Sequence, residues 1–506
     1  MLVSVVIKMC RLSMNKPRWE TISQKVPLEK CKTFSKVPLE KCKVWSKVPL
    51  EKCNFLLKLP LEKCYNFSME RLLYNRLIQW KNSNERKPLI LEGARQVGKT
   101  WLLKHFGERE YKNFCYINCD SNPHLEEIFI DYDIPRIVRN LSAITDVTIT
   151  PRDTLIVFDE IQECPKALTS LKYFCEDASQ YHVAVAGSLL GIMDHQGSGF
   201  PVGKVDSLTL YPLSFMEFLL SLGKNKLVEL IKEHKWEELN PLNSQLIELL
   251  RQYYFTGGMP EVVISYAKDQ DLKKVRALQN QILADYKKDI SKHAPKSDIP
   301  KISMIWDSIP SQLARENKKF IYGALKKSGR AKEFENALQW LIKAGLVYKV
   351  NRVKKLTIPL KFYEDLDCFK LYVNDLGLLG AMADAPAAQI LVGNNCFASY
   401  KGSFTEQYIA QQFFSSYMST KNIFYYTNEN STLEIDFVLQ NSKVFPIEVK
   451  AEENLRSKSL SAVLKTDENL YGVRFSMSNY KEQERMVNVP LALAEEYFRF
   501  LDYNEF

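Results

Sequence analysis

The chain has 506 residues, a length that is too great for one hydrophobic core and predicts roughly two to four domains. Its composition, with 46% apolar and 25% charged residues, is that of an ordinary folded soluble protein. The net charge of +9 first suggests a nucleic-acid partner. However, residues 1–68 hold 14 of the 69 basic and 5 of the 60 acidic residues, which leaves 55 of each in the remainder. The body of the chain is therefore neutral, which excludes a global attraction to phosphate backbones.

The N-terminal segment contains four near-copies of an 11-residue unit, the first of which reads KVPLEKCKTFS. Each unit carries one proline and one cysteine: Pro27, Pro38, Pro49, Pro60, Cys31, Cys42, Cys53 and Cys64. The cysteines lack the close partners that zinc sites need, and a proline in every unit opposes a helical supercoil. Two interpretations of residues 1–68 remain. They form a flexible basic arm of low order, or they are a translated tandem repeat that is not native and lies upstream of a start at Met69.

The other cysteines are scattered and lie mostly in apolar runs, where a free thiol packs as a small apolar group. This usage favours a reducing compartment. No apolar run reaches the ~18–20 residues needed to span a bilayer, and the first residues lack the layout of a signal peptide. We therefore expect a cytoplasmic protein without a membrane partner.

An apolar strand predicted over residues 89–91 leads into the sequence GARQVGKT, and an apolar helical run follows from Trp101. This order of strand, loop and helix fits the phosphate-binding pattern G-x-x-x-x-G-K-[ST]. The expected nucleotide-binding residues are those of the loop: Gly93, Ala94, Arg95, Gln96, Val97, Gly98, Lys99 and Thr100. The glycines let successive backbone N–H groups face phosphate oxygens. We expect Lys99 to reach the β- and γ-phosphates and Thr100 to ligate Mg²⁺.

A second apolar strand, in the sequence TLIVFDEIQE at residues 154–163, ends in two carboxylates. Ligands bind at the carboxyl ends of the strands in such sheets. We therefore expect Asp159 to hold Mg²⁺ and Glu160 to orient and deprotonate the attacking water. A third apolar strand precedes Ser188, which either contacts the γ-phosphate or water or is an ordinary turn residue. With the P-loop, these strand ends predict a parallel sheet flanked by helices.

These motifs, with YPLSFMEF at 211–218 and GGMPEVV at 257–263, resemble those of the prokaryotic AAA-type (AAA_14) P-loop ATPases that carry a C-terminal DUF4143 region. The resemblance runs from about Met69 to near the C-terminus. It implies an AAA+-like module over residues 69–220 that binds ATP, followed by a helical lid or linker over residues 221–300.

Many members of this family place an arginine shortly before the PLSF motif, where this chain has Lys204. Lysine lacks the planar fork with which arginine binds phosphate. We therefore do not predict that this position supplies an arginine finger, a side chain that contacts the γ-phosphate bound by a neighbouring subunit. The oligomeric state stays open.

Residues 301–385 have the order of a winged helix-turn-helix unit, which the resemblance also suggests. Helices are predicted over residues 320–327 and Ala331–Lys343, with a turn between them and a strand and hairpin after residue 344. Six basic residues cluster around the turn: Lys318, Lys319, Lys326, Lys327, Arg330 and Lys332. Such a helix enters the major groove in DNA-binding proteins, but the same unit with solvated lysines also serves protein contacts. DNA and protein both stay open as partners.

The last part of the chain, residues 386–506, contains the alternating strand TLEIDFVL and then the strand FPIEVK. Four residues in it resemble the PD-(D/E)xK core of restriction-endonuclease-like modules: Glu406, Asp436, Glu448 and Lys450. The family resemblance also places such a module here. Carboxylates of this kind collect Mg²⁺, and the lysine stabilises or deprotonates the attacking water. These residues are thus a candidate second site. The alternative is a structural ion-pair cluster that has no activity.

The sequence as a whole predicts an α/β protein in which an AAA+-like P-loop sheet precedes a winged-helix region and a restriction-endonuclease-like α/β module. The predicted activity is that of an ATPase that uses ATP and Mg²⁺ and is coupled to the nuclease-like module, in a DNA-related process. The alternative is an ATP-dependent switch or scaffold whose nuclease-like module is inactive and binds protein partners.

Overall fold

The computed structural model describes residues 70–122, 124–188, 200–327, 329–392, 401–416, 422–430, 432–451 and 457–503. The repeat-bearing segment and the proposed start at Met69 lie outside these residues, as does Ser328 in the predicted turn. The interpretations of residues 1–68 therefore stay predictions. The structure contains no described helix with the length and apolar character to cross a membrane.

A five-stranded parallel sheet is built from the part of the chain that contains the P-loop. Its strands are β1 Leu89–Glu92, β2 Asn113–Asn118, β3 Thr154–Asp159, β4 His182–Ala186 and β5 Asp206–Thr209. Their spatial order is β2-β3-β4-β1-β5, and every neighbouring pair is parallel. Strands β3 and β4 are buried along their whole length, as their continuous apolar sequences predict. The carboxyl ends of β1, β3 and β4 consequently meet at one end of the sheet.

Helices cover both faces of this sheet. They are α1 Tyr74–Asn82, α2 Lys99–Glu110, α3 Ile134–Thr145 and α4 Pro165–Asp177. Alternate strand residues divide between two apolar clusters, because side chains along a strand alternate between its faces. One cluster contains Leu91 of β1 with Leu102 of α2, and the other contains Ile90 of β1 with Leu141 of α3. The predicted α/β class with a parallel sheet is confirmed.

A helical region follows the sheet. Its helices are α5 Phe215–Ser221, α6 Asn225–Lys232, α7 Asn243–Thr256, α8 Pro260–Asp269, α9 Leu272–His293 and α10 Ile299–Leu313. The predicted break at the GGMP sequence lies between α7 and α8. There Gly257 has a φ of +72°, and Pro260 occupies the first position of α8.

Some of the elements predicted for residues 301–385 are present. Helix α11 (Ala331–Lys343) and an antiparallel hairpin of β6 (Val347–Val353) and β7 (Glu364–Val373) are present. The helix predicted over residues 320–327 is wrong, because only a short 3₁₀ turn forms there. At the start of this segment, a backbone group is bonded to a distant strand. The N–H of Phe320 donates to the carbonyl of Phe369 (2.9 Å). The winged-helix arrangement stays a prediction.

The rest of the chain builds a second, mixed sheet with helices packed on it. The elements are α12 Leu376–Met382, α13 Ala387–Val392, α14 Lys401–Ser415, β8 Ile423–Thr427, β9 Glu434–Gln440, β10 Val444–Val449, α15 Lys458–Leu464, β11 Gly472–Ser476, β12 Lys481–Gln483, β13 Met486–Pro490 and α16 Ala494–Tyr503. The strand order is β12-β13-β11-β10-β9-β8-β6-β7. Because β6 pairs with β8, the hairpin of residues 347–373 is continuous with the strands of residues 423–490.

Candidate nucleotide-binding site

The loop between β1 and α2 has the backbone conformation that its glycines allow. Gly93 has a φ of +140°, and a Cβ at this position would lie 2.2 Å from the carbonyl oxygen of Leu210. Gly98 has a left-handed φ of +96° and precedes the first residue of α2. Only glycine adopts the first conformation without a clash. The loop therefore ends at a helix N-terminus, where backbone N–H groups and the helix dipole favour an anion.

Lys99 is buried at the start of α2, and its ammonium group faces its own loop. It donates to the carbonyl oxygens of Gly93 and Ala94, both at 2.8 Å. Burial lowers the pKa of Lys99 to about 8, although the nearby charges of Glu160 and Asp159 favour the protonated form. The structure thus holds a cation among neutral carbonyl groups at the mouth of the loop.

Asp159 lies at the carboxyl end of β3 and is almost fully buried. Its Oδ2 accepts hydrogen bonds from the hydroxyl groups of Thr100 (2.7 Å) and Tyr116 (2.8 Å). Thr100 and Asp159, which were predicted separately as Mg²⁺ ligands, are therefore in direct contact. Oxygen ligands of this type suit Mg²⁺.

Tyr116 was not predicted as a site residue. It lies on β2, which pairs in parallel with β3. Burial and the hydrogen bond to Asp159 raise the pKa of its phenol. No motif marked it, and only the strand order brings its hydroxyl to Asp159.

Glu160 and Ser188 occupy the ends of β3 and β4. Glu160 is half-buried with a left-handed backbone (φ +50°), and its Oε2 accepts a hydrogen bond from Gln162 (2.6 Å). Ser188 is buried and shares the wall of a cavity with Gly93. The structure therefore brings both predicted residues to the same end of the sheet as the P-loop.

Helix α9 contacts the P-loop from a distant part of the sequence. Arg95 forms an ion pair with Asp289, and its carbonyl oxygen accepts from the hydroxyl of Tyr286 (3.0 Å). The side-chain amide of Gln96 donates to Asp285 (3.2 Å). Sequence analysis missed these partners because nearly two hundred residues separate them from the loop.

Family comparisons agree with this geometry. Residues 85–219 match the family model of an AAA domain (AAA_14), and residues 401–494 match that of the domain of unknown function DUF4143. The chain carries an AAA domain followed by a DUF4143 region. Between them, residues 247–389 match a further domain of unknown function, DUF8612.

Several solved structures resemble parts of the chain. One is a Walker-type ATPase of Pyrococcus abyssi, with 15% identity and a TM-score of 0.41 over 62% of this chain and 96% of that one. Another is the ORC1 protein of Aeropyrum pernix in complex with DNA, with 14% identity and a TM-score of 0.24 over 63% of this chain and 92% of that one. No curated protein matches the chain.

Lys204 lies outside the nucleotide site. Its ammonium group pairs with the carboxylate of Glu176 on α4 at 2.8 Å, and both side chains are partly exposed. The ion pair with Glu176 raises the pKa of Lys204. The structure therefore gives this lysine a partner on the surface of the AAA domain.

A buried ionic cluster joins the DUF4143 region to the part of the chain before it. We define this ionic cluster as Glu406, Asp436, Glu434, Lys318 and Lys370. Lys370 on β7 contacts Glu434 (2.6 Å) and Glu406 (3.4 Å), and Lys318 contacts Glu406 (2.5 Å). Burial alone would raise the pKa of Glu406, but the charges of Lys370 and Lys318 outweigh it and hold the pKa below its usual range. Burial, and then the charge of Glu406, raise the pKa of Asp436 to about 8.

The four residues predicted as a second site lie in two pairs. Glu406 and Asp436 belong to the ionic cluster, and Glu448 on β10 forms an ion pair with Lys450 (2.7 Å). The two pairs are adjacent, because the N–H of Val449 donates to Oδ2 of Asp436 (2.7 Å). One carboxylate oxygen of Glu448 is buried without a hydrogen-bond partner. Throughout the described ranges, no group of three or more acidic, His or Cys side chains has the spacing to hold a metal ion.

Proposed function

We propose that the AAA domain binds ATP together with Mg²⁺ and hydrolyses it. The observation that carries this proposal is the hydrogen bond between Thr100 and Asp159, because it joins the two expected metal ligands beside the phosphate-binding loop. The loop fits a polyphosphate for two reasons. Gly93 has no side chain to block the approach of a ligand to the backbone, and Lys99 supplies a buried cation. Bound Mg²⁺ would neutralise charge that develops on the phosphate oxygens.

The residues at the strand ends have complementary roles in the proposed reaction. On nucleotide binding, Lys99 exchanges its carbonyl partners for phosphate oxygens, which are stronger acceptors because they are charged. Glu160 orients the attacking water and accepts its proton, and Gln162 fixes the carboxylate. Ser188 donates to the terminal phosphate or to this water.

Nucleotide binding and ATP turnover of purified protein test this proposal. We expect Lys99→Ala to lose ATP binding, because the loop loses its buried cation and the guanidinium of Arg95 is paired with Asp289. The control is Lys172→Ala, which removes an exposed lysine of α4. Undiminished turnover in Lys99→Ala, with normal turnover in the control, contradicts the proposal.

For the DUF4143 region we propose a role as an ATP-controlled switch or scaffold that binds a partner, rather than as a nuclease. The ionic cluster supports this choice, because Lys370 and Lys318 both pair with Glu406, one of the carboxylates that a metal would need. Plasmid DNA incubated with Mg²⁺ or Mn²⁺ tests it. We expect wild type and Lys450→Ala to leave equal amounts of intact DNA. Cleavage by wild type that Lys450→Ala abolishes would instead establish a nuclease.

DNA and protein are the two proposed classes of partner. The neutral charge outside residues 1–68 gives no general preference for DNA. ATP turnover measured with and without single- and double-stranded DNA separates the classes. Stimulation by DNA at moderate salt indicates a DNA-coupled ATPase, and unchanged turnover favours a protein partner.

A further inference from the structure

A cavity of about 420 Å³ lies between the strand ends of the AAA domain and the turn that joins α11 to β6. Its volume is within the range of small-molecule sites, about 300–1,000 Å³. One wall consists of strand-end residues, namely Glu92, Gly93, Gly187, Ser188 and Thr209. The opposite wall includes Lys343, Gly345 and Lys349. The cavity therefore joins the P-loop to the middle of the chain.

The turn between α11 and β6 lies directly on the P-loop. Gly345 has a φ of +70°, and a Cβ added to it would lie 3.2 Å from the backbone nitrogen of Ala94. Gly93, which lines the cavity, also accepts a hydrogen bond from the ammonium group of Lys99. The cavity thus begins where the phosphate-binding cation of the loop is held.

Three charged side chains line the cavity: Glu92, Lys343 and Lys349. The ammonium group of Lys349 lies 4.5 Å from the ring centroid of Phe369, and burial lowers its pKa. Lys343, in the last turn of α11, has no ion pair, side-chain hydrogen bond or ring contact to any residue that the structure describes. The cavity therefore presents one uncommitted cation toward the end of the P-loop sheet.

We propose that Lys343 binds the terminal phosphate of the nucleotide held by the P-loop. This inference rests on the proposed ATP site. ATP has one more negatively charged phosphate than ADP. The flexible side chain of a lysine lets its ammonium group reach that phosphate. Of the two lysines that line the cavity, Lys349 lies against the ring of Phe369, which leaves Lys343 for the phosphate. Lys204 is paired on the surface and lies outside the site. The contact makes the position of α11 depend on whether ATP or ADP is bound.

Binding of a non-hydrolysable ATP analogue and of ADP, measured by calorimetry on the full chain, tests the proposal. We expect Lys343→Met to weaken binding of the analogue about tenfold, because one phosphate contact is lost. Binding of ADP should change by less than about twofold. Lys343→Arg should retain most of the affinity for the analogue, since it keeps the charge. Lys332→Met, which removes an exposed lysine of the same helix, is the matched control.

The two proposals fail in different ways. If wild type binds neither nucleotide, the proposed ATP site is wrong. If wild type binds both but Lys343→Met affects them equally or not at all, Lys343 does not contact the terminal phosphate. Thermal unfolding of each variant shows whether it folds, and Lys343→Gln replaces Lys343→Met if the latter does not.

Discussion

The AAA domain and the DUF4143 region each contain a charged centre, but the partners of the charges differ. In the AAA domain, Lys99 is held by backbone carbonyl groups and Asp159 by two hydroxyl groups. In the DUF4143 region, Glu406 is paired with Lys318 and Lys370, so that opposite charges neutralise each other inside the protein. The charges of the first centre have neutral hydrogen-bond partners, and those of the second are paired between elements that are distant in the sequence.

This difference in partners supports the proposal that the first centre binds a ligand and the second does not. A buried charge with only neutral partners gains free energy when a counter-charged ligand arrives. A buried charge that already has an opposite charge must first lose that pair. Acidic residues at strand ends are present in both centres. The partners, rather than the residue types, distinguish them.

The largest effect is expected for Glu160→Gln in the AAA domain. We expect ATP turnover to fall about 10²–10⁴-fold, because the amide cannot accept the proton of water. ATP binding should remain, since Lys99 and Thr100 are unchanged. Turnover and binding are measured together, with Glu85→Gln as an exposed control. Wild-type turnover in Glu160→Gln would remove Glu160 from the mechanism.

The second prediction concerns the ionic cluster around Glu406. Lys370→Met should destabilise the protein by about 3–5 kcal/mol, because Glu406 and Glu434 lose their buried partner. Urea unfolding measures this change in the free energy of unfolding.

The matched control for Lys370→Met is Lys326→Met. Lys326 forms an exposed ion pair with Glu333 at 2.9 Å. Its loss should change the stability by less than about 0.5 kcal/mol. Equal effects of the two substitutions would show that the ionic cluster contributes no more than a surface pair.

Asp375 is a buried charge with a third kind of partner, which is neither a hydroxyl group nor an opposite charge. It accepts hydrogen bonds from the backbone N–H groups of Gly258 (2.6 Å) and Leu378 (3.0 Å). Burial raises its pKa from 3.8 to about 6. Between about pH 4 and pH 6, the carboxyl group of Asp375 therefore keeps its proton in the folded protein and loses it in the unfolded chain. The stability from this group is fully present below about pH 4 and is lost as the pH rises through about 6.

Asp375→Asn tests this pH dependence, since the amide does not titrate. The stability of wild type relative to the variant should fall by about 3 kcal/mol between pH 4 and pH 7, as two pKa units imply. Urea unfolding at several pH values measures the difference. A difference that is constant with pH would mean that Asp375 does not titrate in this range.

The smallest expected effect concerns the contact between α9 and the P-loop. Asp289→Asn removes a negative charge beside Arg95 and frees the guanidinium for phosphate. We expect ATP affinity to rise about threefold, as for one partly screened charge. Asp269→Asn, in the surface pair with Lys274, is the control. Weaker ATP binding in Asp289→Asn would show that this pair supports the loop in its binding conformation.

Much of the candidate nucleotide site follows from the sequence because its determinants are local. The sequence GARQVGKT specifies its own backbone conformation through Gly93 and Gly98, and β1 and α2 directly flank it. The apolar run before Asp159 likewise specifies a buried strand with a carboxylate at its end. That these segments share one end of a parallel sheet follows from general rules of such folds.

Only the tertiary structure decided which side chains contact the charged residues. It placed Tyr116 on Asp159 and Asp289 on Arg95, and it showed that residues 320–327 do not form a helix. It also placed Lys370, on a sheet that runs across a predicted domain boundary, in contact with Glu406 of α14. These contacts link residues far apart in the chain, and no local pattern encodes them. The sequence by itself determined which residues carry charge at strand ends, and packing determined which of those charges have an opposite charge beside them.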